Sequence, residues 1–342
     1  MKKFTLITLL FLGAYAHGQN QSLSVPRASQ KAYVEQVIGL TTLSVDYSSP
    51  AVKNRDIWGG LVPYGEIWRA GANENTVFYT EHDIQVEGKL LPAGKYGLHM
   101  IPSEEGEWTV IFSNDHKAWG SYAYVSVNDE IRVSVTPQVS EHREWLSYDF
   151  KKRESDGCQL VLHWEKLQVP ISISVPVHEI VFENMKDELT GINRFGWAAW
   201  NQAALYALQN NLDLDEALAL VDQSLKWNSN FTNQTTKALI LKKMGKDSEA
   251  DKIFQTLIPN ANENELNNLG YTLMNLGYLD HALEVFEENA KKHPQSWNVY
   301  DSLAEAQLAK GKNKEAKKNY TKALSMAPEA QKPRLKNILK GL

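Results

Sequence analysis

Apolar residues occupy every second position through most of the first half of the chain. The segments LTTLSVDY, residues 40–47, and EIRVSVTP, residues 130–137, show the alternation of a half-buried strand. Gly, Pro, Asn and Asp separate such segments at positions where turns need them. Residues 25–175 are therefore predicted to form eight or nine short strands with short connections, which favours an all-β antiparallel sandwich with a jelly-roll-like arrangement.

The alternation stops near residue 177. We interpret residues 176–196 as a segment that bridges two domains. From Trp197 onward the chain is rich in Ala, Leu, Lys, Glu and Asn and contains almost no β-branched runs, which predicts helices. The sequence thus predicts two domains, an all-β domain followed by an all-α domain at residues 197–342.

The helical half contains an internal repeat. The segments LGYTLMNLGYLDHALEVFEENAKKHP, residues 269–294, and LAEAQLAKGKNKEAKKNYTKALSMAP, residues 303–328, align at a spacing of 34 residues. Their period and their pattern of small, aromatic and proline residues resemble the tetratricopeptide repeat. Two weaker copies precede them, so the resemblance covers about residues 197–328. It implies a solenoid of helix pairs, and residues 329–342 are predicted to form a capping helix.

This resemblance also implies a binding surface. The first helix of each repeat lines a concave groove, which in this family commonly holds extended peptides. Lys242 is nearly the only cation among the groove positions, so an acidic peptide terminus is a poor match, whereas asparagine amides can pair with a peptide backbone. We expect a protein or peptide partner here, and a helical stack that only supports the first half is the alternative. The groove positions are Tyr206, Lys242, Asn264, Asn267, Asn268, Tyr271, Asn275, Asn298, Asp301 and Glu305.

The first half carries a second resemblance. It rests on YSSPAVKNRDIWGGLVPYGEIWRAGANENTVF, residues 47–78, followed by LPAGKYGLHMIP, residues 91–102, and WTVIFSNDHKAWGSYAY, residues 108–124. With these segments the span resembles a family of exported bacterial proteins with an uncharacterised domain. The resemblance implies export and the domain boundaries. It implies no catalytic residues, because the family has no established activity.

The long connection at residues 47–75 is the candidate binding segment of this half. Long ordered loops in compact β domains commonly carry function, and aromatic rings bordered by Arg, Glu and Asn suit a glycan, a peptide or another small polar ligand. Alternatively, Arg69 is a buried arginine that bridges Asp46 or Asp56, and Asn73 and Asn75 are turn residues. The candidate ligand-binding residues are Arg55, Tyr64, Glu66, Trp68, Arg69, Asn73, Glu74 and Asn75, with His116 and Trp119 from a second loop.

Motifs for catalysis and for metal or cofactor binding are not found. The chain contains no GxSxG, P-loop, HExxH or CxxC, and no GxGxxG followed by a helix, so neither a metal nor a cofactor is predicted. An enzyme stays open as an alternative: a hydrolase that acts on an envelope glycan or peptide, with Glu66 or Glu74 as acid or base and His116 or Arg69 assisting.

Composition restricts the partners and suggests the compartment. The net charge of -5 is spread without a basic stripe, which argues against nucleic acid binding, and Cys158 is the only cysteine, so no intrachain disulfide can form. A basic start, a short apolar core and Ala-Tyr-Ala at residues 14–16 predict a signal peptide over residues 1–18. No later segment is apolar for long enough to span a membrane. We therefore expect an exported protein of the bacterial periplasm or cell envelope that works in binding or assembly, with a pure scaffold as a further alternative.

Overall fold

The computed structural model describes residues 25–342, so the predicted signal peptide at residues 1–18 lies outside the described residues. The chain divides into two compact units between Val175 and Pro176. Among the described helices, none is both long and apolar enough to cross a membrane.

The first unit is an antiparallel β structure with two sheets. The larger sheet has the order β1-β2-β3-β6-β7-β8 and the smaller sheet has the order β5-β4-β10-β9. Every strand pair in both sheets is antiparallel, which confirms the predicted all-β antiparallel fold. The strands are β1 (Gln30–Ile38), β2 (Thr41–Ser49), β3 (Val77–Thr80), β4 (Ile84–Val86), β5 (Lys89–Leu91), β6 (Gly94–Ile101), β7 (Trp108–Ser113), β8 (Asp129–Val135), β9 (Gln138–Lys151) and β10 (Gly157–Ser174).

The last two strands correct the prediction of uniformly short strands. Strand β9 has 14 residues and β10 has 18, and they form one long hairpin. The pairing register shifts on both sides of Glu165, which has a positive φ of 53°. A bulge of this kind bends and twists a strand without ending it, and the polar residues around Glu165 therefore belong to a continuing strand rather than to a turn.

Alternation places one face of the larger sheet in the core. Leu43, Val45, Phe78 and Phe112 are fully buried, and the Phe78 and Phe112 rings pack edge to face with centroids 5.2 Å apart. A cluster of four tryptophans continues this core into the long connection between β2 and β3. In it, Trp58 contacts the rings of Trp68, Trp108 and Trp164 at centroid distances of 5.8, 4.9 and 5.8 Å. The long connection is thus anchored by its own aromatic side chains.

The second unit contains the helices α1 (Val177–Glu188), α2 (Ala198–Gln209), α3 (Leu214–Trp227), α4 (Phe231–Lys243), α5 (Asp247–Leu257), α6 (Glu263–Asn275), α7 (Leu279–Lys292), α8 (Trp297–Ala309), α9 (Asn313–Met326) and α10 (Lys332–Gly341). The structure places α1 inside the segment interpreted as a bridge, and buried Phe182 of this helix joins the core of the helical unit. Consecutive helices pair as α2–α3, α4–α5, α6–α7 and α8–α9. These pairs confirm the predicted tetratricopeptide-like repeats, and α10 lies in the segment predicted to be a cap.

One backbone feature fixes the register of the four helix pairs. Asn211, Gly245, Gly277 and Gly311 follow the first helix of their pairs, and all four have φ between 55° and 82°. This left-handed conformation ends a helix and favours Gly, with Asn as the usual substitute. We call α2, α4, α6 and α8 the inner helices, since in this type of repeat the first helix of each pair lines the groove.

Candidate functional sites

The first part of the long connection in the β unit is mostly engaged in its own structure. The Arg55 guanidinium donates hydrogen bonds to the carbonyl oxygens of Val52, at 3.0 Å, and Ala51. The Tyr64 ring lies against Gly59, where a Cβ atom would stand 2.7 Å from a ring carbon. Glu66 is exposed. Among the described residues, no hydrogen bond or ion pair joins these three predicted site residues to one another.

Trp68 belongs to the tryptophan cluster of the core. Its indole N–H donates to the carbonyl oxygen of Gly71 at 3.1 Å, and its ring stacks on Trp164 with centroids 6.0 Å apart. Both its apolar face and its polar atom therefore have partners within the domain. This arrangement positions the residues that follow Trp68 in the chain.

Those residues meet a second loop, residues 114–122, which we call the covering loop. The Asn75 backbone N–H donates to the carbonyl oxygen of Ala118 at 3.2 Å, and its side-chain amide donates to that of Asp115 at 3.1 Å. The Arg69 guanidinium lies so close to Gly120 that a Cβ atom there would be 2.1 Å from Nη1. Gly120 also has a φ of +68°, so two independent constraints favour glycine at this position.

His99 lies beneath the covering loop. It is only 2% exposed, and its Nδ1 is 3.1 Å from the Ser121 hydroxyl oxygen. Burial lowers the pKa of His99 to about 4, an effect that Asp129 and Asp115 oppose and the Arg69 charge reinforces. The imidazole is therefore neutral near pH 7, and one of its nitrogens is an acceptor.

Arg69, Asn75, His99 and Ser121 together form a polar group that we call the covered cluster. The Arg69 Nε and the Asn75 Oδ1 are buried and have no hydrogen-bond partner among the described residues. A buried polar atom without a partner costs about 1–3 kcal/mol. The alternative of an Arg69 bridge is not seen: Asp46 pairs with Lys31 at 2.6 Å, and no carboxylate of the described residues forms an ion pair with Arg69.

Two other predicted residues contact the start of the described chain. Glu74 pairs with Arg27, which also lies over the Trp119 ring at 5.8 Å from its centroid. The hydrogen bond from Arg27 lowers the pKa of Glu74. A general acid needs the opposite shift, so this pair gives no support to Glu74 as the acid of a hydrolase. Asn73 has a φ of 60°, as expected for a turn residue, and donates to the Ser29 carbonyl oxygen at 3.3 Å.

The remaining predicted residue of the β unit is His116, whose Nδ1 lies 3.3 Å from the Asn114 carbonyl oxygen. It lines a groove on the outer face of the larger sheet, together with Lys117 and strand residues that sequence reasoning did not select. Alternation alone marked those strand residues as outward-facing, but only the strand register shows that they are neighbours.

Several predicted groove residues of the helical unit are bound to one another. The Tyr271 hydroxyl donates to a Glu305 carboxylate oxygen at 2.8 Å, and burial is the main cause that raises the pKa of Tyr271 to about 12. Asp301 pairs with Arg334 of α10. The Lys242 ammonium pairs with Asp247 at 3.0 Å, so its charge is partly neutralised.

The other predicted groove residues differ in exposure. The Tyr206 hydroxyl lies 2.9 Å from Nδ1 of His178 on α1. Asn264, Asn268 and Asn275 of α6 are exposed, and Asn267 and Asn298 are half-buried. The amides of α6 are therefore the part of this set most open to a ligand.

A polar side chain recurs at one register position of the inner helices. Asn201, Thr235, Asn267 and Asp301 each stand ten residues before the positive-φ residue that follows their helix. Each has a buried side-chain oxygen with no hydrogen-bond partner among the described residues. We call these four residues the register row. The sequence analysis selected Asn267 and Asp301 but missed Asn201 and Thr235, which counting back from Asn211 and Gly245 would have found.

Neither a candidate metal site nor an activated thiol is found among the described residues. No group of three or more His, Cys, Asp or Glu side chains in residues 25–342 could hold a metal ion. Cys158 is buried, and burial raises the pKa of its thiol to about 11. The thiolate that a nucleophile requires is therefore scarce at neutral pH.

Both halves of the chain match protein families. Residues 29–173 match the model of a family described as a protein of unknown function, DUF2911. Residues 203–334 match the model described as the N-terminal TPR repeats region of Psidin. The chain combines a DUF2911-like β domain with tetratricopeptide-like repeats. No curated protein showed a significant match to the chain.

Solved structures of tetratricopeptide repeat proteins align with part of the chain. MamA from Desulfovibrio magneticus RS-1 is 17% identical over 44% of this chain and 86% of its own, with a TM-score of 0.28. A tetratricopeptide repeat protein from Parabacteroides merdae is 20% identical over 48% of this chain and 63% of its own, with a TM-score of 0.33.

Proposed function

We propose that this chain is an exported protein of the cell envelope that docks a protein partner through its inner helices and recognises a small polar ligand through its DUF2911-like domain. Tetratricopeptide-like repeats suggest protein–protein interaction. The register row carries the proposal of a partner, because it repeats an unpaired acceptor in all four inner helices. The predicted signal peptide supports the exported location.

The spacing of the register row suits an extended segment. Packed helices lie about 8–10 Å apart, and a chain in the polyproline II conformation advances about 3.1 Å per residue with three residues per turn. A segment bound in this conformation therefore presents equivalent backbone groups about every 9 Å, once per inner helix. A hydrogen bond from a bound segment to an oxygen of the row would remove the penalty of an unpaired buried acceptor.

Charge narrows the class of partner. Glu305 supplies a carboxylate in the last repeat that forms no ion pair among the described residues and accepts a hydrogen bond from the Tyr271 hydroxyl, whereas Asp301 already pairs with Arg334. The cation at Lys242 is already paired with Asp247. A segment that carries Lys or Arg and presents its backbone N–H groups therefore complements the groove better than an acidic terminus does.

Selection from a library of random, phage-displayed short peptides tests this proposal on the purified chain without its signal peptide. We expect the selected peptides to be rich in Lys and Arg. Asn267→Ala and Glu305→Ala should each weaken their binding by about two- to tenfold, the value of one hydrogen bond. Lys317→Ala, which changes an exposed residue of α9, is the control. Peptides that bind all three variants equally well would show that the groove is not the docking surface.

The covered cluster supports the second part of the proposal. It gathers an arginine, an amide and a neutral imidazole beneath one loop and leaves two of their polar atoms unpaired. Unpaired buried polar atoms are rare in native proteins and require an explanation, and a bound polar ligand that pairs with them is the explanation we propose.

Export has its own test: mass spectrometry of the chain from a periplasmic fraction should find an N-terminus after Ala16 or Gly18, and an intact N-terminus at Met1 would contradict it.

A further inference from the structure

The groove beside His116 lies on the outer face of the larger sheet. Val45 and Phe78 point into the core, so their neighbours Asp46, Val77 and Tyr79 point to the opposite face. The groove has a volume of about 530 Å³, and its lining residues are Tyr33, Ser44, Asp46, Val77, Tyr79, Lys95, His116 and Lys117. This volume falls within the range of about 300–1,000 Å³ that is typical of ligand sites.

Strand register arranges the floor of the groove in two rows. In one row Asp46 lies between Tyr33 of β1 and Val77 of β3. In the next row Tyr79 lies between Ser44 of β2 and Lys95 of β6. The two tyrosine rings therefore stand on different strands with a carboxylate and a hydroxyl close to them.

The covering loop forms the wall. It lies over Gly97 of β6, where a Cβ atom would be only 2.6 Å from the Asp115 carbonyl oxygen. This close approach places the next two residues, His116 and Lys117, at the edge of the groove. Gly97 thus permits a side wall on a sheet face that would otherwise be open.

Two lysines give the groove an unbalanced positive charge. The Lys95 ammonium lies 5.9 Å from the centroid of the Tyr79 ring, and neither Lys95 nor Lys117 takes part in an ion pair among the described residues. Two carboxylates lie on this face and both have partners: Asp46 pairs with Lys31, and Glu35, opposite Ser44 in the strand register, accepts a hydrogen bond from the Tyr33 hydroxyl. An anionic group is therefore the charge complement of this surface.

We propose that this groove binds a saccharide that carries a carboxylate. The proposal rests on the small-ligand function proposed above for the β domain. It specifies the chemical class of that ligand, an acidic saccharide, and its binding site, the groove beside His116. Sugar rings pack their apolar faces on Tyr79 and on Tyr33, which is 60% exposed. The sugar carboxylate pairs with Lys95 and Lys117, and Asp46 and Ser44 accept hydrogen bonds from its hydroxyl groups.

Two other ligand classes fit this surface less well. A peptide that adds a strand needs free backbone groups at a sheet edge. Most of the groove floor lies on β2, β3 and β6, which are paired on both sides, and only β1, which carries Tyr33, is an edge strand. A neutral sugar would use the two rings but leave both lysine ammonium groups without a counter-ion. An acidic saccharide satisfies the rings and the cations together.

Isothermal titration of the full chain with trigalacturonate tests the proposal, with maltotriose as the neutral sugar and citrate as an anion without a sugar ring. We expect trigalacturonate to bind more tightly than either. Tyr79→Ala should abolish binding, and the double change Lys95→Ala with Lys117→Ala should weaken it by about tenfold or more. Phe195→Ala and Lys151→Ala are controls, because both residues are exposed and neither lines the groove. Circular dichroism checks that each variant is folded.

The other outcomes separate this inference from the proposed function. Equal binding of maltotriose overturns the requirement for a carboxylate and leaves the small-ligand function in place. Sugar binding that survives Tyr79→Ala but is lost in Arg69→Ala overturns the groove and assigns the ligand to the covered cluster. Citrate that binds as well as the sugar shows simple attraction of ions and overturns the inference. Absence of binding by all three compounds overturns it as well.

Discussion

In the helical unit, unpaired buried oxygens recur at one register position of the inner helices. In the β unit, the unpaired atoms of Arg69 and Asn75 occur at one place, where the long connection contacts the covering loop. The register row results from repetition, since each inner helix places its residue by the same local rule. The covered cluster depends on two segments about 40 residues apart in the sequence that meet through the backbone bond from Asn75 to Ala118. The buried polar residues of a repeat can thus be located in the sequence from their fixed spacing, whereas those of a contact between two loops cannot.

The same difference extends to what holds each region in place. Helix pairs contact mainly their neighbours in the chain, so each repeat is stabilised locally. The long connection of the β unit depends on distant partners: the Tyr148 hydroxyl of β9 donates to the Ala70 carbonyl oxygen at 2.7 Å, and Trp164 of β10 stacks on Trp68. Changes in the β core should therefore reach the candidate site, whereas changes in one repeat should stay close to that repeat.

Removal of a core tryptophan is expected to have the largest effect. Trp164 is 1% exposed and contacts two other members of the tryptophan cluster. Trp164→Ala should lower the free energy of unfolding of the β unit by about 3–5 kcal/mol, because it leaves a large cavity. Urea unfolding followed by near-ultraviolet circular dichroism measures this loss. Trp119→Ala, at a position 57% exposed, should change stability by less than about 1 kcal/mol, and equal losses in both variants would contradict the role of the cluster.

Acid should destabilise the β unit through His99. Its pKa is 6.5 in an unfolded chain and about 4 in the folded one, so between these values the unfolded state binds a proton that the folded state does not. Stability is therefore complete above pH 6.5 and falls as the pH drops toward 4, by about 3 kcal/mol in total. Urea titrations at several pH values should show this slope.

A matched pair of variants assigns that slope to one residue. His99→Gln should remove the part of the pH dependence between 6.5 and 4, although it also lowers stability at neutral pH. His142→Gln changes an exposed histidine of β9 and should leave the slope as it is. If both variants keep the wild-type slope, the acid sensitivity arises elsewhere in the domain.

The fold could be predicted from the sequence because its two periodic patterns, the alternation in the strands and the 34-residue repeat in the helices, can be read from neighbouring parts of the chain. Alternation identified the antiparallel strands, and a repeat of 34 residues identified the helix pairs. The length of β9 and β10 was missed, since the bulge at Glu165 looks like a break in the pattern. Helix α1 was missed because it stands alone, outside the repeat that marks the other helices.

The candidate sites were predicted only in part. Sequence selected Arg69 and Asn75, but it gave His99 no role, because nothing near a histidine in the chain reveals which loop will cover it. Trp68 was selected as a binding aromatic, and only the structure shows that its ring packs in the tryptophan cluster. Tyr33 and Tyr79 become neighbours of one groove only through strand register, which depends on pairing across the whole sheet.

A comparison of Gly65 with Gly120 of the covering loop separates two reasons for glycine: the positive φ, which both residues have, and the contact with Arg69, which only Gly120 has. Gly65 and Gly120 both have a positive φ, but a Cβ atom at Gly65 meets nothing within 4 Å, whereas one at Gly120 would strike the Arg69 guanidinium. Gly65→Ala should therefore cost about 1 kcal/mol of stability, the penalty of the left-handed backbone. Gly120→Ala should cost about 2 kcal/mol, because Arg69 must also move. In an Arg69→Ala background the two penalties, measured by urea unfolding, should become equal. If Gly120→Ala keeps its larger penalty there, the close approach of Arg69 to the covering loop is not what makes Gly120 necessary.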